Sequence, residues 1–151
     1  MSSWSFRDTA LDDIGIVTMV GMALAMTDSG MTYALANGMK SVAGAFYPLV
    51  APFIGVLGAF MTGSNTNSNI LFGALQRDTA MLLGISTTAV LAAQTTGGAL
   101  GSMLAPAKVV VGCSTVGLAG QEGPVLRRGV AYGLAIAAVM GLVALAWVQL
   151  R

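Results

Sequence analysis

The chain has 151 residues, of which 56% are hydrophobic and only 9% are charged, and its formal net charge is +1. A soluble globular domain carries roughly 25% charged residues, so a chain of this composition is expected to lie in a membrane rather than to cover a water-facing surface. The low charge offers no basic surface for nucleic acid, and the lack of histidine excludes imidazole metal sites, Ser-His-Asp triads and Cys-His pairs, so neither a metal nor a cofactor is expected.

A polar segment, MSSWSFRDTALDD, occupies residues 1–13, ahead of a membrane domain that we expect over 14–151. The segment is not typical of a secretory signal peptide, because three aspartates stand where a basic region is required. The first long apolar run follows at 14–37 and is about long enough to cross a hydrocarbon core of roughly 30 Å. Either Asp12 or Asp13 is in position to cap the start of this helix.

Asp28 interrupts the first apolar run, within the sequence MTDSGM. A carboxylate at membrane depth costs roughly 2.5–3.5 kcal/mol on insertion scales, so it is a functional hypothesis by default. Because the chain has no histidine, a proton carrier must be a carboxylate, and Asp28 is the best-placed candidate. The alternative is a helix end near the membrane interface, where an aspartate costs little.

The second apolar run, 42–61, contains Pro48 and Pro52 and leads into the polar stretch MTGSNTNSNILFG. Proline kinks helices, but neighbouring groups in a membrane satisfy the freed carbonyls, so we expect a bent helix. After the polar stretch, ILFGALQ gives only about seven residues before the next charged pair. A long arm, a polar tip and a short arm predict a re-entrant helical hairpin over 42–76. A polar loop outside the membrane is the alternative, which the short second arm and the uncharged tip disfavour.

The region 79–118 is too long for one straight span, and the sequence leaves open whether it crosses once, interrupted, or twice. A polar, glycine-rich stretch inside it predicts a broken helix: Gln94, Thr95, Thr96, Gly97 and Gly98. Lys108 follows in the sequence APAKVVV. It is either a counter-charge for a bound anion or a side chain that extends to the lipid headgroups.

The last apolar run, 129–148, predicts a transmembrane helix without interruptions. Small residues recur on one face of it, namely Gly129, Gly133, Ala137 and Gly141. Such a face lets a neighbouring helix approach closely. The pattern therefore predicts helix packing, and by itself it carries no further function.

The two interrupted segments, each with a polar tip, indicate a transporter site near the bilayer midplane. Half-helices that begin at such tips direct their unpaired N–H groups and positive dipole ends at the break, where they can hold a carboxylate. The candidate substrate-binding residues are Ser64, Asn65, Thr66 and Asn67 at the first tip and Thr95, Thr96, Gly97 and Gly98 at the second. No nucleophile-base pair is visible in the sequence, so an enzyme is the weakest interpretation.

The long motifs of the chain resemble the C-terminal part of the L-lactate permease family. They are DSGMT, APFIGVLGAFMTGSNTNSNILFGALQ and LAAQTTGGALGSMLAPAKVVVGCSTVGLAGQEGPVLRR. The resemblance implies a multi-pass protein of the bacterial inner membrane that moves lactate, and often glycolate, together with protons. It also implies an all-α fold similar to one half of an inverted-repeat ion transporter. In that fold a Ser-Asn-Thr tip, here residues 64–66, holds the substrate carboxylate, and 95–98 form the matching helix break.

The chain departs from this family in length, since such permeases are several times longer and only one Ser-Asn-Thr tip occurs here. We therefore expect a C-terminal fragment that pairs in the bilayer with a complementary N-terminal half or with another copy of itself. The leading hypothesis is proton-coupled lactate transport. The alternative is a non-transporting membrane assembly subunit, for which the small-residue face of the last helix would be suitable, or an inactive truncated gene product.

Overall fold

The computed structural model describes the backbone of residues 6–150 and the side chains of residues 14–150, and this part of the chain is helical and contains no strand. The helices are α1 Phe6–Asp28, α2 Met31–Ala43, α3 Tyr47–Thr62, α4 Asn65–Leu83, α5 Thr87–Met103, α6 Pro106–Thr115 and α7 Glu122–Gln149, with a 3₁₀ turn at Gly44–Phe46 between α2 and α3. The prediction of an all-helical chain is confirmed.

The first apolar run forms two helices rather than one span. Helix α1 already begins at Phe6, so Asp12 and Asp13 lie inside it and the prediction that either one caps its start is wrong. The helix begins about two turns before these residues, so an aspartate ahead of an apolar run does not by itself mark the first residue of a helix. The run then breaks after Asp28, where Gly30 adopts φ +74° and α2 begins at the next residue.

Two stretches of the described chain are long and apolar enough to cross a membrane, Met31–Thr62 and Glu122–Gln149, and a shorter apolar helix occupies Ile14–Asp28. The first stretch joins α2 to α3 through the 3₁₀ turn. Pro48 lies in the first turn of α3, where its missing N–H is not required, and Pro52 lies inside the helix. The apolar segment that leads to the polar turn thus starts at Met31, eleven residues before the expected 42.

Helices α3 and α5 cross with their backbones in contact. This crossing explains the glycines of α5 from which the sequence analysis predicted a helix break. A Cβ on Gly97 would overlap the Pro52 carbonyl oxygen, and one on Gly101 would overlap that of Val56. Helix α5 is continuous through residues 95–98, so the predicted break there is wrong. The glycines permit a close helix approach instead. The actual breaks fall at 84–86 and at 104–105.

Helix α7 packs against the rest of the chain through the small-residue face predicted for it. Gly133, Ala137 and Gly141 are buried. A Cβ on Gly133 would overlap the Leu104 side chain, and one on Gly141 would lie 2.6 Å from the Leu49 carbonyl oxygen. The predicted packing role of this face is confirmed, and its partners belong to the same chain.

Candidate functional site

The polar stretch forms a tight helix-helix turn followed directly by a helix. Gly63, at φ +71°, ends α3, Ser64 is extended, and α4 starts at Asn65. Residues 65–69 are therefore helical, and the non-helical part of the polar tip consists of Gly63 and Ser64. Ser is a strong N-cap residue, which allows the helix to begin as soon as the chain has turned.

The second helix of the hairpin continues beyond residue 76, where the sequence analysis expected the hairpin to end. Helix α4 has 19 residues, whereas α3 has 16. The charged pair that was expected to end the arm lies within α4, where Arg77 Nη2 and Asp78 Oδ1 form a 2.9 Å ion pair. Charged residues are compatible with an α-helix, so the pair ends the uncharged part of the arm but not the helix, and the length of the arm inside a membrane stays a prediction.

The N-terminus of α4 presents unused hydrogen-bond donors. The Asn67 N–H donates to Ser64 Oγ at 3.3 Å, and the Ser64 N–H donates to Thr62 Oγ1 at 3.3 Å. Within the described residues, the backbone N–H groups of Asn65 and Thr66 have no partner. Two N–H groups at the positive end of a 19-residue helix are suited to bind an anion.

A row of uncharged polar side chains runs from this N-terminus onto α5. Asn69 Nδ2 donates to Asn65 Oδ1 at 3.3 Å, and Thr95 Oγ1 donates to Asn69 Oδ1 at 3.4 Å. The Asn65 carboxamide lies against Gly98, where a Cβ would overlap it. The fold thus brings together four residues of the two polar motifs that are about 30 positions apart in the sequence.

The remaining predicted site residues lie in different surroundings. Thr66 is exposed and Asn67 is partly buried. Thr96 donates to the Ala92 carbonyl oxygen at 2.8 Å and lines a cavity of about 390 Å³ between α5 and α7. Gly97 lies under α3. The four residues of the second motif are therefore split, because successive residues of a continuous helix point to different sides.

Lys108 reaches the turn through a serine that the sequence analysis did not select. Lys108 Nζ donates to Ser102 Oγ at 2.6 Å, and Ser102 Oγ donates to the Gly63 carbonyl oxygen at 3.1 Å. The break at 104–105 separates α5 from α6, and Lys108 lies in the first turn of α6. A positive charge thus lies two hydrogen bonds away from the α3–α4 turn.

The candidate proton carrier Asp28 is not joined to this group. It is the last residue of α1 and is exposed. Among the described residues, no ion pair or side-chain hydrogen bond connects it to the hairpin turn. No cluster of three or more metal-ligating side chains lies within the described part of the chain.

A buried chain of hydrogen bonds beneath the polar row is the feature that the sequence analysis missed. Tyr47 Oη donates to Gln76 Oε1 at 2.7 Å, Gln76 Nε2 to Gln94 Oε1 at 2.7 Å, and Gln94 Nε2 to Ser68 Oγ at 3.2 Å. Ser68 Oγ then donates to the Gly55 carbonyl oxygen at 3.0 Å. The four side-chain partners are at most 1% exposed, and they fix α3, α4 and α5 to one another. In the sequence, glutamines that lie inside apolar segments are the signal that could have indicated these buried hydrogen bonds.

Comparisons with known proteins identify relatives along almost the entire sequence. Residues 3–151 match the family model described as L-lactate permease. Relatives include glycolate permease GlcA of Escherichia coli K12, 38% identical over 144 residues, which are 93% of this chain and 26% of the relative. L-lactate permease of the same strain is 35% identical over 139 residues, which are 92% and 25% of the two chains. L-lactate permease of Bacillus subtilis 168 is 35% identical over 128 residues, which are 85% of this chain and 23% of the relative. No solved structure matches. The chain spans about a quarter of the length of these curated relatives.

Proposed function

The chain belongs to the L-lactate permease family of membrane transport proteins, and we propose that it supplies one carboxylate-binding region of a lactate and glycolate transporter. The observation that carries the proposal is the N-terminus of α4, where Asn65 and Thr66 offer unpaired N–H groups and where Lys108 is joined to the preceding turn through Ser102. The two substrates are taken from the names of relatives. Both are short monocarboxylates, so one binding arrangement serves both.

The substrate carboxylate binds at residues 64–66. Its oxygens accept hydrogen bonds from the backbone N–H groups of Asn65 and Thr66, and the dipole of α4 stabilises the charge. The described carboxylates do not compete for these donors: Asp28 lies at the exposed end of α1, Asp78 is paired with Arg77, and Glu122 accepts a hydrogen bond from the Gly120 N–H. The site therefore favours an anion.

Lys108 supplies the counter-charge. Its ammonium is bound to Ser102 Oγ, which is bound to the turn itself. The long side chain lets the ammonium move a few ångströms toward a bound carboxylate while the serine keeps it near the turn. A charge-assisted hydrogen bond of this kind is roughly twice as strong as one between neutral groups.

The α3–α4 hairpin re-enters the bilayer with its turn near the midplane. From Asn65 to Arg77 is about 18 Å along a helix axis. If the ion pair of Arg77 and Asp78 lies at the headgroups, the turn therefore lies close to the middle of a core of roughly 30 Å. The turn carries no charged side chain, which agrees with such a depth.

Protein that covers the polar row completes the transporter. Lipid offers no hydrogen-bond partner to the exposed side chains of Thr66 and Thr95, of which only Thr95 has a partner in this chain, through its bond to Asn69. We propose that a complementary half of an inverted-repeat fold covers them within a multi-pass assembly of the bacterial inner membrane, and that a proton accompanies the acid. Asp28, at the exposed end of α1, is the residue of this chain that would carry that proton.

A role as a non-transporting assembly subunit is less well supported. It depended on the small-residue face of α7 as a docking surface, and that face is buried against Leu49 and Leu104 of the same chain. The alternative therefore loses the feature that favoured it.

Uptake and protection measurements test the proposal. In membrane vesicles from the source organism, we expect labelled lactate to accumulate under an inward proton gradient. A Thr66→Cys variant should react slowly with a bulky impermeant thiol reagent, and lactate should slow it further. A matched Thr115→Cys variant, at the exposed end of α6, should show no lactate effect. Rapid labelling of Thr66→Cys with no protection by lactate would place the turn outside the membrane and contradict the proposal.

A further inference from the structure

Two adjacent arginines near the start of α7 have no partner for their side chains within the described part of the chain. Arg127 and Arg128 are both exposed, and neither forms an ion pair or a side-chain hydrogen bond there. Glu122, the acidic residue of the same helix, accepts a hydrogen bond from the Gly120 N–H. It lies five and six residues before the arginines, whereas side chains three or four residues apart meet on a helix. Both positive charges are therefore available to a ligand.

The position of the arginines along α7 places them at the level of the lipid headgroups. The helix carries no charged side chain over residues 129–148, a stretch that covers about 30 Å at the rise of an α-helix. This length matches the hydrocarbon core of a bilayer. Arg127 and Arg128 directly precede the stretch, so their guanidinium groups lie at the edge of the core, where the lipid phosphates are.

A groove of about 610 Å³ opens beside the two arginines at the surface of α7. Gly123, Arg127 and Ala131 follow at intervals of four residues and share one face of the helix, and Pro124 and Arg128 form the adjacent row. Because glycine and alanine carry little or no side chain, the space around the guanidinium groups stays open. Sites for small molecules occupy roughly 300–1,000 Å³, so the groove is large enough for a phospholipid headgroup.

We propose that Arg127 and Arg128 bind the headgroup of an anionic phospholipid at one surface of the membrane. A guanidinium group donates two parallel hydrogen bonds to phosphate oxygens. Both arginines lie past the first turn of α7, where the backbone N–H groups are bonded within the helix, so the positive charge of the groove comes from the side chains. Phosphatidylglycerol keeps its net negative charge, whereas phosphatidylcholine cancels its phosphate with a choline cation. The groove therefore selects anionic lipid, and this selection is independent of lactate transport.

The test titrates the purified chain in a neutral detergent with phosphatidylglycerol or phosphatidylcholine and counts bound lipids by native mass spectrometry. An arginine near an anionic headgroup contributes about a fivefold gain in affinity, so the wild type should bind the first phosphatidylglycerol roughly 20- to 30-fold more tightly than phosphatidylcholine. Replacing both arginines by glutamine should reduce this preference to less than about threefold, and Arg127→Gln or Arg128→Gln alone should reduce it about fivefold. Either single variant decides if the double variant does not fold.

A charge-matched control separates the groove from the net charge of the chain. Lys40→Gln combined with Arg77→Gln removes the same charge from exposed positions on α2 and α4 and should keep the wild-type preference. If the Arg127 and Arg128 variants keep the preference, or if the control loses as much of it, the inference is wrong.

Inorganic phosphate distinguishes the second source of the same chemistry. Added at equal ionic strength, it should displace bound phosphatidylglycerol no more than chloride does, because salt screens exposed charges without regard to the anion. Selective displacement by phosphate would make the groove a site for free phosphate and would overturn the assignment to lipid.

Discussion

Replacing Asn65 by proline removes one proposed carboxylate donor with little change to the fold. Asn65 is the first residue of α4, where proline is well tolerated. The residue before a proline must be extended, and Ser64 already has φ −140° and ψ 127°. Since the Asn65 N–H has no partner in the described structure, its loss breaks no internal hydrogen bond.

The size of the effect follows from the kind of bond that is lost. Asn65→Pro also removes the side-chain oxygen that accepts from Asn69, so the matched control is Asn65→Ala, which loses the same oxygen but keeps the N–H. The difference between the two variants isolates the N–H group. A hydrogen bond to a charged group contributes about 1.5–3 kcal/mol, which corresponds to a rise of roughly 10- to 150-fold in the KM for lactate.

Concentration-dependent uptake of labelled lactate under a fixed inward proton gradient measures this difference, with the membrane content of each variant determined by immunoblot. We expect Asn65→Pro to show a KM at least about tenfold above that of Asn65→Ala. Agreement of the two KM values within about twofold, at equal membrane content, would mean that this N–H does not bind the substrate carboxylate.

Three further substitutions test the packing and the charge around the turn. Gly97→Ala should lower the free energy of unfolding in detergent by about 2 kcal/mol, because its Cβ would overlap a carbonyl oxygen of α3. Gly38→Ala, which has open space around it, should be neutral or slightly stabilising, and equal effects of the two would refute the close helix crossing. Gln94→Leu should destabilise the protein by about 2 kcal/mol in the same assay, since it removes the buried hydrogen bonds that join α5 to Gln76 and Ser68 of α4. A neutral result would show that the buried chain does not stabilise the three helices. Lys108→Gln should raise the KM for lactate about tenfold while Lys108→Arg raises it less, and an unchanged KM in Lys108→Gln would limit Lys108 to supporting the turn.

The sequence by itself determined the class of the protein, its family and the packing face of α7. Composition excludes a water-exposed surface, the long motifs carry the family resemblance, and a four-residue repeat of small residues defines one side of a helix. Each of these features depends on composition or on a local sequence pattern, so it can be recognised without knowing which helices pack together.

Only the tertiary structure decided what the polar and glycine residues do. Glycines such as Gly97 are compatible with a helix break and with a close crossing, and the approach of α3 selects the crossing. The bond from Lys108 to Ser102 and the buried chain through Gln76 and Gln94 likewise depend on how helices and turns are placed. A hydrogen bond requires two groups within about 3 Å of each other at the right angle, and sequence patterns do not specify the helix crossings that bring distant residues this close.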